Sequence, residues 1–460
     1  MLYGKRKGLY DYELLDGYKF EGRRILKAYM NDGFAAKAQA KKEGKKAVKS
    51  PKDAKEMKAL MTKRQPHKID IGAGFHPVPR DHLSVKNFRP ESRELVFDID
   101  LSDYDDVRTC CQGATVCKKC WQYMVAAVKV CESALREDFG FEHIVWIFSG
   151  RRGIHCWVCD QTANELTNDA RMAIVRYFGV VSGNENQAKK TTLSSPLHPS
   201  LERAYRLLEP IFVEHIIGSE GQGLLASPDR WETLLKTLPE EIGAQISKHW
   251  QKSGGDTTPL EKWEALKGLC VAEKSNPAKK QKRPAVNELW KYETVFAQCY
   301  PRLDENVSKH RNHLLKSPFA AHPKTGRVCI PFEAAKVANF NPGNAPTLRQ
   351  LAYELDQHAG DDCPDLEKTS LKDAVRFFET GFLDPLMKAL HRTARDAKEQ
   401  RAAVVGAIRH AWGGYVKYAW GFDELKPVSK RSTDWIGLGL TILDSLDVLW
   451  MVGPSPNPEP

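Results

Sequence analysis

Short apolar strands surround one amphipathic helix in the most patterned part of the chain. ELVFDID is an apolar run that ends in carboxylates, which is typical of a buried strand. Residues 120–140 follow with helical periodicity, which stops at Gly140. HIVWIFSG (143–150) and GIHCWVCD (153–160) flank the turn Gly150-Arg151-Arg152-Gly153. They predict two strands joined by a hairpin-like connection.

The remaining pattern is mainly helical, with a late return to strand. Residues 161–300 have helical periodicity with Pro and Gly breaks, and RVCIPF (327–332) predicts another strand. This order predicts an α+β core interrupted by a helical subdomain at about 161–298. The Lys- and Ala-rich stretch 37–64 is typical of a solvated helix face or a mobile arm. SNPAKKQKRPAV (275–286) predicts a basic loop and is a weak nuclear-import candidate.

Composition indicates a folded, basic, reduced protein. The chain has 460 residues, 42% of them hydrophobic, which is enough for two to three packed domains. A net charge of +10 suits a polyanionic partner such as nucleic acid. The N-terminus has no uninterrupted apolar core, so no secretory signal is expected. The most apolar stretch, Trp435 to Gly453, contains Asp444 and Asp447, which argues against a membrane span.

Two carboxylates point to divalent-metal chemistry. Asp98 and Asp100 are two apart on a predicted strand, so both side chains project from one face. Carboxylates this close repel unless a cation lies between them, and nucleotidyl transfer uses Mg²⁺ held in this way. Such a pair is more often an exposed strand end. The apolar run ELVF before it favours a buried strand and hence a site.

A glycine-flanked turn predicts an anion site. Ser149-Gly150-Arg151-Arg152-Gly153-Ile154-His155 combines small residues, which let backbone approach phosphate oxygens, with charged donors. His155 faces opposite to the apolar pair Ile154 and Cys156. A later segment, PRLD with Asp304, precedes a basic loop that contains Lys316 and His322.

Four of the eleven cysteines cluster at Cys110, Cys111, Cys117 and Cys120. An odd number of cysteines without an export signal argues against a disulfide framework. The C-x2-C knuckle with two further thiols is typical of a closed zinc site, although four unbound thiols remain the alternative. The adjacent Cys110 and Cys111 are geometrically awkward, so one of them could be a spectator.

Together these segments resemble the small, catalytic subunit of eukaryotic and archaeal DNA primase, over about residues 51–390. The matching motifs are ELVFDIDLSDYDDVRTCC, C-x2-CW, EDFGF, SGRRGIHCWVCD and PRLDENVSKHRNHLLKSPFAAHPKTGR. The resemblance implies a mixed α/β primase fold with an inserted helical subdomain. It also implies synthesis of short RNA primers on single-stranded DNA. Residues 1–50 form a divergent basic segment that lacks the family's aromatic-rich start.

The resemblance assigns roles by position. Asp98, Asp100 and Asp304 match the catalytic triad that holds two Mg²⁺ or Mn²⁺, and all four clustered cysteines match a structural Zn²⁺ site. The residues that match the nucleotide site are Ser149, Arg151, Arg152, His155, Lys316, His322, Lys68 and Asp70. The implied partners are the large primase subunit in a heterodimer, the catalytic and accessory subunits of DNA polymerase α, single-stranded DNA and ribonucleoside triphosphates. The implied location is the nucleus, with no membrane contact.

The C-terminal segment has a different resemblance. Residues of about 396–453 resemble the opening helices of class I α-mannosidases, glycoside hydrolase family 47. The chain is therefore expected to comprise a basic segment (1–50), a primase domain (51–395) and a truncated, non-catalytic mannosidase-like segment (396–460). The last is expected to be weakly ordered or loosely packed against the primase body. Two alternatives to primase activity are a mannosidase-fragment fusion and an inactive, zinc-stapled nucleic-acid-binding protein.

Overall fold

A computed structural model of the chain describes residues 23–25, 54–64, 66, 68–75, 86–87, 89–181, 191–252, 257–271, 286–360 and 362–452. The chain divides into two compact units, residues 1–386 and 387–460. The Lys-rich part of 37–64 up to residue 53, the basic loop 275–285 and nearly all of 1–50 lie outside the described residues. Within the part that is described, no helix is both long and apolar enough to cross a bilayer.

The strands are short, and they lie mainly in the first unit. In chain order they are β1 (Arg23–Ile25), β2 (Asp70–Gly74), β3 (Leu95–Asp100), β4 (Ile144–Phe148), β5 (Gly153–Val158), β6 (Cys270–Val271), β7 (Val286–Asn287), β8 (Leu315–Lys316), β9 (Pro331–Phe332), β10 (Glu424–Lys426) and β11 (Arg431–Thr433).

The helices account for most of the remaining described chain. They are α1 (Ala54–Arg64), α2 (Lys118–Glu137), α3 (Gln161–Glu165), α4 (Asn168–Tyr177), α5 (Pro199–Phe212), α6 (Pro228–Leu235), α7 (Glu240–Lys252), α8 (Pro259–Leu269), α9 (Trp290–Cys299), α10 (Glu305–Lys309), α11 (Leu348–Gln357), α12 (Lys372–Arg376), α13 (Asp384–Ala419) and α14 (Leu440–Val452). A 3₁₀ turn at Leu101–Tyr104 directly follows β3.

An antiparallel sheet of order β3-β5-β4-β9 forms the centre of the first unit. Alternation along β3 separates the two faces of this sheet: Leu95, Phe97 and Ile99 join the core cluster, whereas Asp98 and Asp100 project from the opposite face. β5 repeats the alternation, with Ile154 and Cys156 in the core. One face of the sheet is therefore apolar and the other carries the polar groups.

Helix α2 covers the apolar face of the sheet. Its Trp121 ring packs edge-on against Phe148 of β4, with the ring centroids 5.9 Å apart. Trp146 donates its indole N–H to Glu132 of the helix at 2.7 Å. The helix ends at Glu137, and Gly140 adopts φ +69° just beyond it. This layer therefore covers the sheet from the side opposite to Asp98 and Asp100.

The predicted architecture and the observed one agree in the main elements. The mixed α/β fold is confirmed, as are the strands on either side of the Gly150–Gly153 turn and the helix that follows the cysteines. Residues 161–299 are largely helical where they are described. The predicted strand 327–332 is shorter: only Pro331–Phe332 joins the sheet, and Val328 forms an isolated bridge with Ala321.

The second unit is built around one buried carboxylate. Asp423 is inaccessible to solvent, and its side chain accepts hydrogen bonds from the backbone amides of Trp435, Ile436, Gly437, Leu438 and Leu440 at 2.5–3.1 Å. These bonds hold the pKa of Asp423 far below its ordinary value. The loop is therefore fixed by its own hydrogen bonds, while the order and packing expected for 396–460 as a whole stay a prediction. Helix α14 carries exposed apolar side chains such as Leu443 and Leu446.

Candidate active site

Three aspartates meet where β3 ends. Asp98 of β3 lies opposite His155 of β5, and Asp100 lies opposite Gly153. Asp304 comes from 200 residues further along the chain, and its backbone N–H donates to the carbonyl of Asp98 at 3.0 Å. The Asp304 side chain caps α10 by accepting from the amide of Asn306 at 3.0 Å. The triad proposed from the sequence is thus brought to one place.

Mutual repulsion marks the three carboxylates as a unit. Burial, followed by the charges of Asp100 and Asp304, raises the pKa of Asp98 from 3.8 to about 7. Asp103, in the 3₁₀ turn, has its pKa raised by burial and by the same two neighbours. Sequence reasoning missed this fourth acid, although its spacing from Asp100 indicated a turn. The negative charge collected here is what a divalent cation would neutralise.

Arg152 is the cation nearest to this group. Its guanidinium lies 2.6 Å from one Asp100 oxygen and donates to the other at 2.8 Å. Asp100 also accepts from the amide and hydroxyl of Ser102, at 2.9 and 3.0 Å. The sequence placed Arg152 only with the nucleotide phosphates. In the structure it pairs with a carboxylate of the triad, because it reaches from the hairpin turn to the end of β3.

Arg302 fixes the position of Asp304. Its guanidinium donates to the carbonyl of Asp103 and to the carboxylate of Asp106, both at 2.5 Å. Its backbone N–H donates to the Tyr104 hydroxyl at 3.0 Å. The segment that carries Asp304 is therefore tied to the turn that follows Asp100.

The raised pKa of Asp98 gives a test of this crowding. A carboxyl whose pKa is 3.8 unfolded and about 7 folded costs stability as pH rises between those values, because the folded state holds its proton more tightly. Asp98→Asn removes this cost. In metal-free protein near about pH 8, its melting temperature should exceed that of the parent by about 2 °C or more, with no difference near about pH 4.

Calorimetry at the two pH values, in the presence of a chelator, measures this effect. Glu220→Gln, an exposed acid in a turn, serves as the matched control and should change neither melting temperature. Equal destabilisation by Asp98→Asn at both pH values would show that Asp98 carries no repulsion.

A positive cluster lies beside the aspartates. Burial, followed by the charges of Lys316, Arg151, Lys68 and Lys324, lowers the pKa of His322 to about 4. The pKa of His155 falls to about 3 through burial, Lys316 and His322. Sequence reasoning missed Lys324, although the loop sequence HPKTG that contains it was visible. Cations gathered in this way would suit an anionic ligand such as a polyphosphate.

The two loops of this cluster interlock through Gly150. Its φ is +83°, and a Cβ there would lie 2.9 Å from the Cβ of His322 and 3.0 Å from the carbonyl oxygen of Arg327. The Thr325 hydroxyl donates to the carbonyl of Gly150 at 2.7 Å, and Lys316 donates to that of Ser149 at 2.8 Å. The absence of a side chain at Gly150 therefore allows the basic loop to close over the turn.

Lys68 and Asp70 reach the cluster from a second sheet. β2 pairs with β8 so that Asp70 lies opposite Lys316. The Lys68 ammonium lies 3.0 Å from one Asp70 oxygen. The other oxygen, Oδ1, is buried without a hydrogen-bond partner. A buried acceptor of this kind suits a donor on a bound ligand.

The four cysteines lie apart from the carboxylates, between the 3₁₀ turn and the start of α2. Their Sγ atoms all lie within 4.8 Å of one another, and Cys120 is buried. Among the described residues, this is the one group of possible metal ligands whose ligand atoms all lie so close together; the three aspartates are not spaced as closely. Four thiols at this distance fit a tetrahedral metal ion with no open position. Both adjacent cysteines, Cys110 and Cys111, belong to the group, so neither is set apart as a spectator.

Comparison with known proteins separates the chain into two parts. The family model for the DNA primase small subunit matches residues 97–334. The chain is 38% identical over 363 residues to the DNA primase small subunit of Drosophila melanogaster. The aligned region covers 75% of this chain and 81% of the relative. It is 34% identical over 353 residues to that of Saccharomyces cerevisiae, with 75% and 81% covered.

The second match is short. The model for glycosyl hydrolase family 47 matches residues 407–457. The endoplasmic reticulum mannosyl-oligosaccharide 1,2-alpha-mannosidase of Rattus norvegicus is 56% identical over 55 residues, which are 12% of this chain and 8% of the relative. The chain therefore spans less than a tenth of the mannosidase that it resembles.

Proposed function

Since this chain belongs to the DNA primase small subunit family, we propose that it is the catalytic subunit of a primase, a nucleotidyltransferase that makes short RNA primers on single-stranded DNA. The observation that carries the proposal is the contact between two groups of opposite charge. The crowded carboxylates of Asp98, Asp100 and Asp304 adjoin the cation cluster around Lys316 and His322. The charge of Lys316 acts on Asp98, and His155, whose Nε2 lies 3.7 Å from Asp98, is in turn influenced by Lys316 and His322. Nucleotidyl transfer needs both, because a polyphosphate must be held while its α-phosphate is attacked.

The aspartates would hold the catalytic ions. Asp98 and Asp100 project from a strand that pairs with β5 along its whole length, and the backbone N–H of Asp304 bonds to Asp98. Burial and the neighbouring carboxylates raise the pKa of Asp98, and a bound cation would relieve that crowding, so the donor set fits hard divalent cations. When bound, two Mg²⁺ or Mn²⁺ would activate the primer 3′-hydroxyl and stabilise the departing pyrophosphate.

The basic cluster would orient the incoming nucleotide. Eight residues belong to it in this proposal: Ser149, Arg151, Arg152, His155, Lys316, His322, Lys68 and Asp70. His155 enters as a neutral ring near pH 7 because its pKa is held at about 3. It would therefore act on the nucleotide as a hydrogen-bonding group rather than as a charge. Its Nε2 lies 3.7 Å from an Asp98 oxygen, so it is placed beside the triad. Positioning by these residues supplies much of the catalysis in such reactions.

The cysteine cluster and the partners complete the proposal. A closed set of four thiolates suits a structural Zn²⁺, which would stabilise the turn next to the catalytic strand rather than take part in chemistry.

As in primases, the chain would pair with a large subunit and act with DNA polymerase α and its accessory subunit in the nucleus. Within this proposal the catalytic domain covers residues 51–395, with the helical stretch of about 161–298 inserted in it.

A primer-synthesis assay tests the proposal directly. Full-length protein is incubated with a single-stranded template, ribonucleotides and Mn²⁺, and the products are resolved by length. Short RNA products that depend on both the template and the metal are expected. Template binding without incorporation, alone or with the large subunit added, would instead support a zinc-stapled binding protein.

Glycoside hydrolysis is not proposed for residues 396–460. That reaction needs two carboxyl groups on opposite sides of the scissile bond. Asp444 and Asp447 match acidic positions of the family's first helices, but they share one short helix, α14. The matched segment also covers only 8% of the rat mannosidase.

A further inference from the structure

The loop that carries the first two cysteines is folded around a buried arginine. The Arg108 side chain has 0% of its surface exposed. Its guanidinium donates to the carbonyl of Gly113 at 2.7 Å and to that of Thr115 at 3.1 Å. It also pairs with the Asp105 carboxylate at 2.5 Å. One side chain thus spans the loop between Cys111 and Cys117 from the inside.

Asp105 completes the fold of this loop. Its second oxygen accepts from the amide of Gly113 at 2.9 Å, so Gly113 is held through both its N–H and its carbonyl. Gly113 adopts φ +58°, the left-handed conformation that reverses the chain direction here. This reversal returns the chain to Cys117 at the start of α2, where the thiols converge.

Hydrogen-bond donors also face the sulfur atoms. The Gln222 amide donates to Cys110 Sγ at 3.4 Å, and the Cys117 amide donates to Cys120 Sγ at 3.2 Å. The Arg108 guanidinium also interacts with the Cys120 thiol. These N–H groups hold the sulfur atoms in place, as the outer partners of metal ligands do.

We infer that Arg108 is a positioning residue of the cysteine metal site. Its planar fork sets the loop conformation that brings Cys110 and Cys111 onto Cys117 and Cys120. The inference rests on the zinc site proposed above. Arg108 does not coordinate the metal itself but would act through the cysteines that do. A lysine keeps the charge but has no planar fork, so it cannot hold two carbonyls and a carboxylate at once.

Zinc affinity measured on the full chain tests this. Protein purified with Zn²⁺ is analysed for bound metal and then titrated against a chromophoric chelator. Parent protein should carry about one zinc per chain. Arg108→Lys and Arg108→Gln should each bind zinc roughly 10- to 100-fold more weakly, as is usual when the residues that orient metal ligands are lost. Arg136→Gln, which loses a pair with Glu132 and a bond to the carbonyl of Glu142, away from the cysteines, is the matched control and should bind as the parent does.

Two further measurements keep a general loss of folding apart from a loss of metal affinity. The melting temperature of metal-stripped protein should be nearly the same for Arg108→Lys and the parent. Asp105→Asn, which keeps the arginine but weakens its anchor, should lower zinc affinity by a smaller factor in the same direction. Both results support the positioning role.

Other outcomes overturn it. If Arg108→Lys binds zinc as tightly as the parent while Arg108→Gln does not, the charge matters and the fork does not. If both lose metal only in proportion to a lower melting temperature of the stripped protein, Arg108 is an ordinary core residue. Parent protein that makes primers but holds no zinc would refute the metal site and this inference together, and would leave the proposed function standing.

Discussion

Replacing Asp304 with asparagine is expected to abolish primer synthesis and leave the fold intact. The substitution removes one of the three charges that would hold the divalent ions, and such ions stabilise the transition state by several kcal/mol. The loss should be about 10³-fold or more. Asparagine still accepts the hydrogen bond that caps α10, so the local backbone is preserved.

Incorporation of labelled ribonucleotides on a single-stranded template measures this loss, and circular dichroism checks folding. Glu220→Gln removes an exposed acid elsewhere and should keep full activity. Binding of Mn²⁺, followed by its paramagnetic resonance signal, should weaken in Asp304→Asn without any nucleotide present. A folded Asp304→Asn protein with normal synthesis would remove Asp304 from the site.

The second large effect is expected at Arg152. Arg152→Ala would remove the charge-assisted contact that is proposed to the triphosphate, and such a contact is worth roughly 1.5–3 kcal/mol. The KM for ribonucleotides should therefore rise roughly 10- to 150-fold. The pair with Asp100 adds a second consequence: without Arg152 the carboxylates repel more strongly, so the metal concentration for half-maximal rate should also change.

Steady-state kinetics at several Mn²⁺ concentrations separate the two effects, and a template-binding assay provides the comparison. Arg206→Ala, an exposed arginine on α5, is the matched control. An unchanged KM together with a collapse of template affinity would place Arg152 in a DNA groove rather than at the nucleotide.

Local pattern was a good guide to this protein where neighbouring residues decide the structure. The apolar run before Asp98 and the period-two spacing to Asp100 predicted a buried strand with both acids on one face, because pleating forces that alternation. The turn at Gly150–Gly153 was also predictable locally, because a glycine stands at each end of it, between two apolar runs. The spacing of the cysteines predicted their convergence, since the C-x2-C knuckle lies at one helix start.

Long-range contacts were beyond such reasoning. Nothing in the spacing placed Asp304 beside Asp98; that expectation came from a family resemblance, and a backbone hydrogen bond between distant segments realises it. The pair of Arg152 with Asp100 and the loop around Arg108 also went unforeseen. Each depends on where a long side chain ends after folding, which local propensity does not encode.

The carboxylate of Asp423 has a consequence for how genes recombine. Five backbone amides from one short loop find their acceptor within the same segment, so a transfer of that segment to a foreign chain leaves none of these donors without a partner. A stretch of chain with this property is portable. Such a segment keeps its loop conformation in a new chain, because the acceptor and the donors that fix the loop travel together.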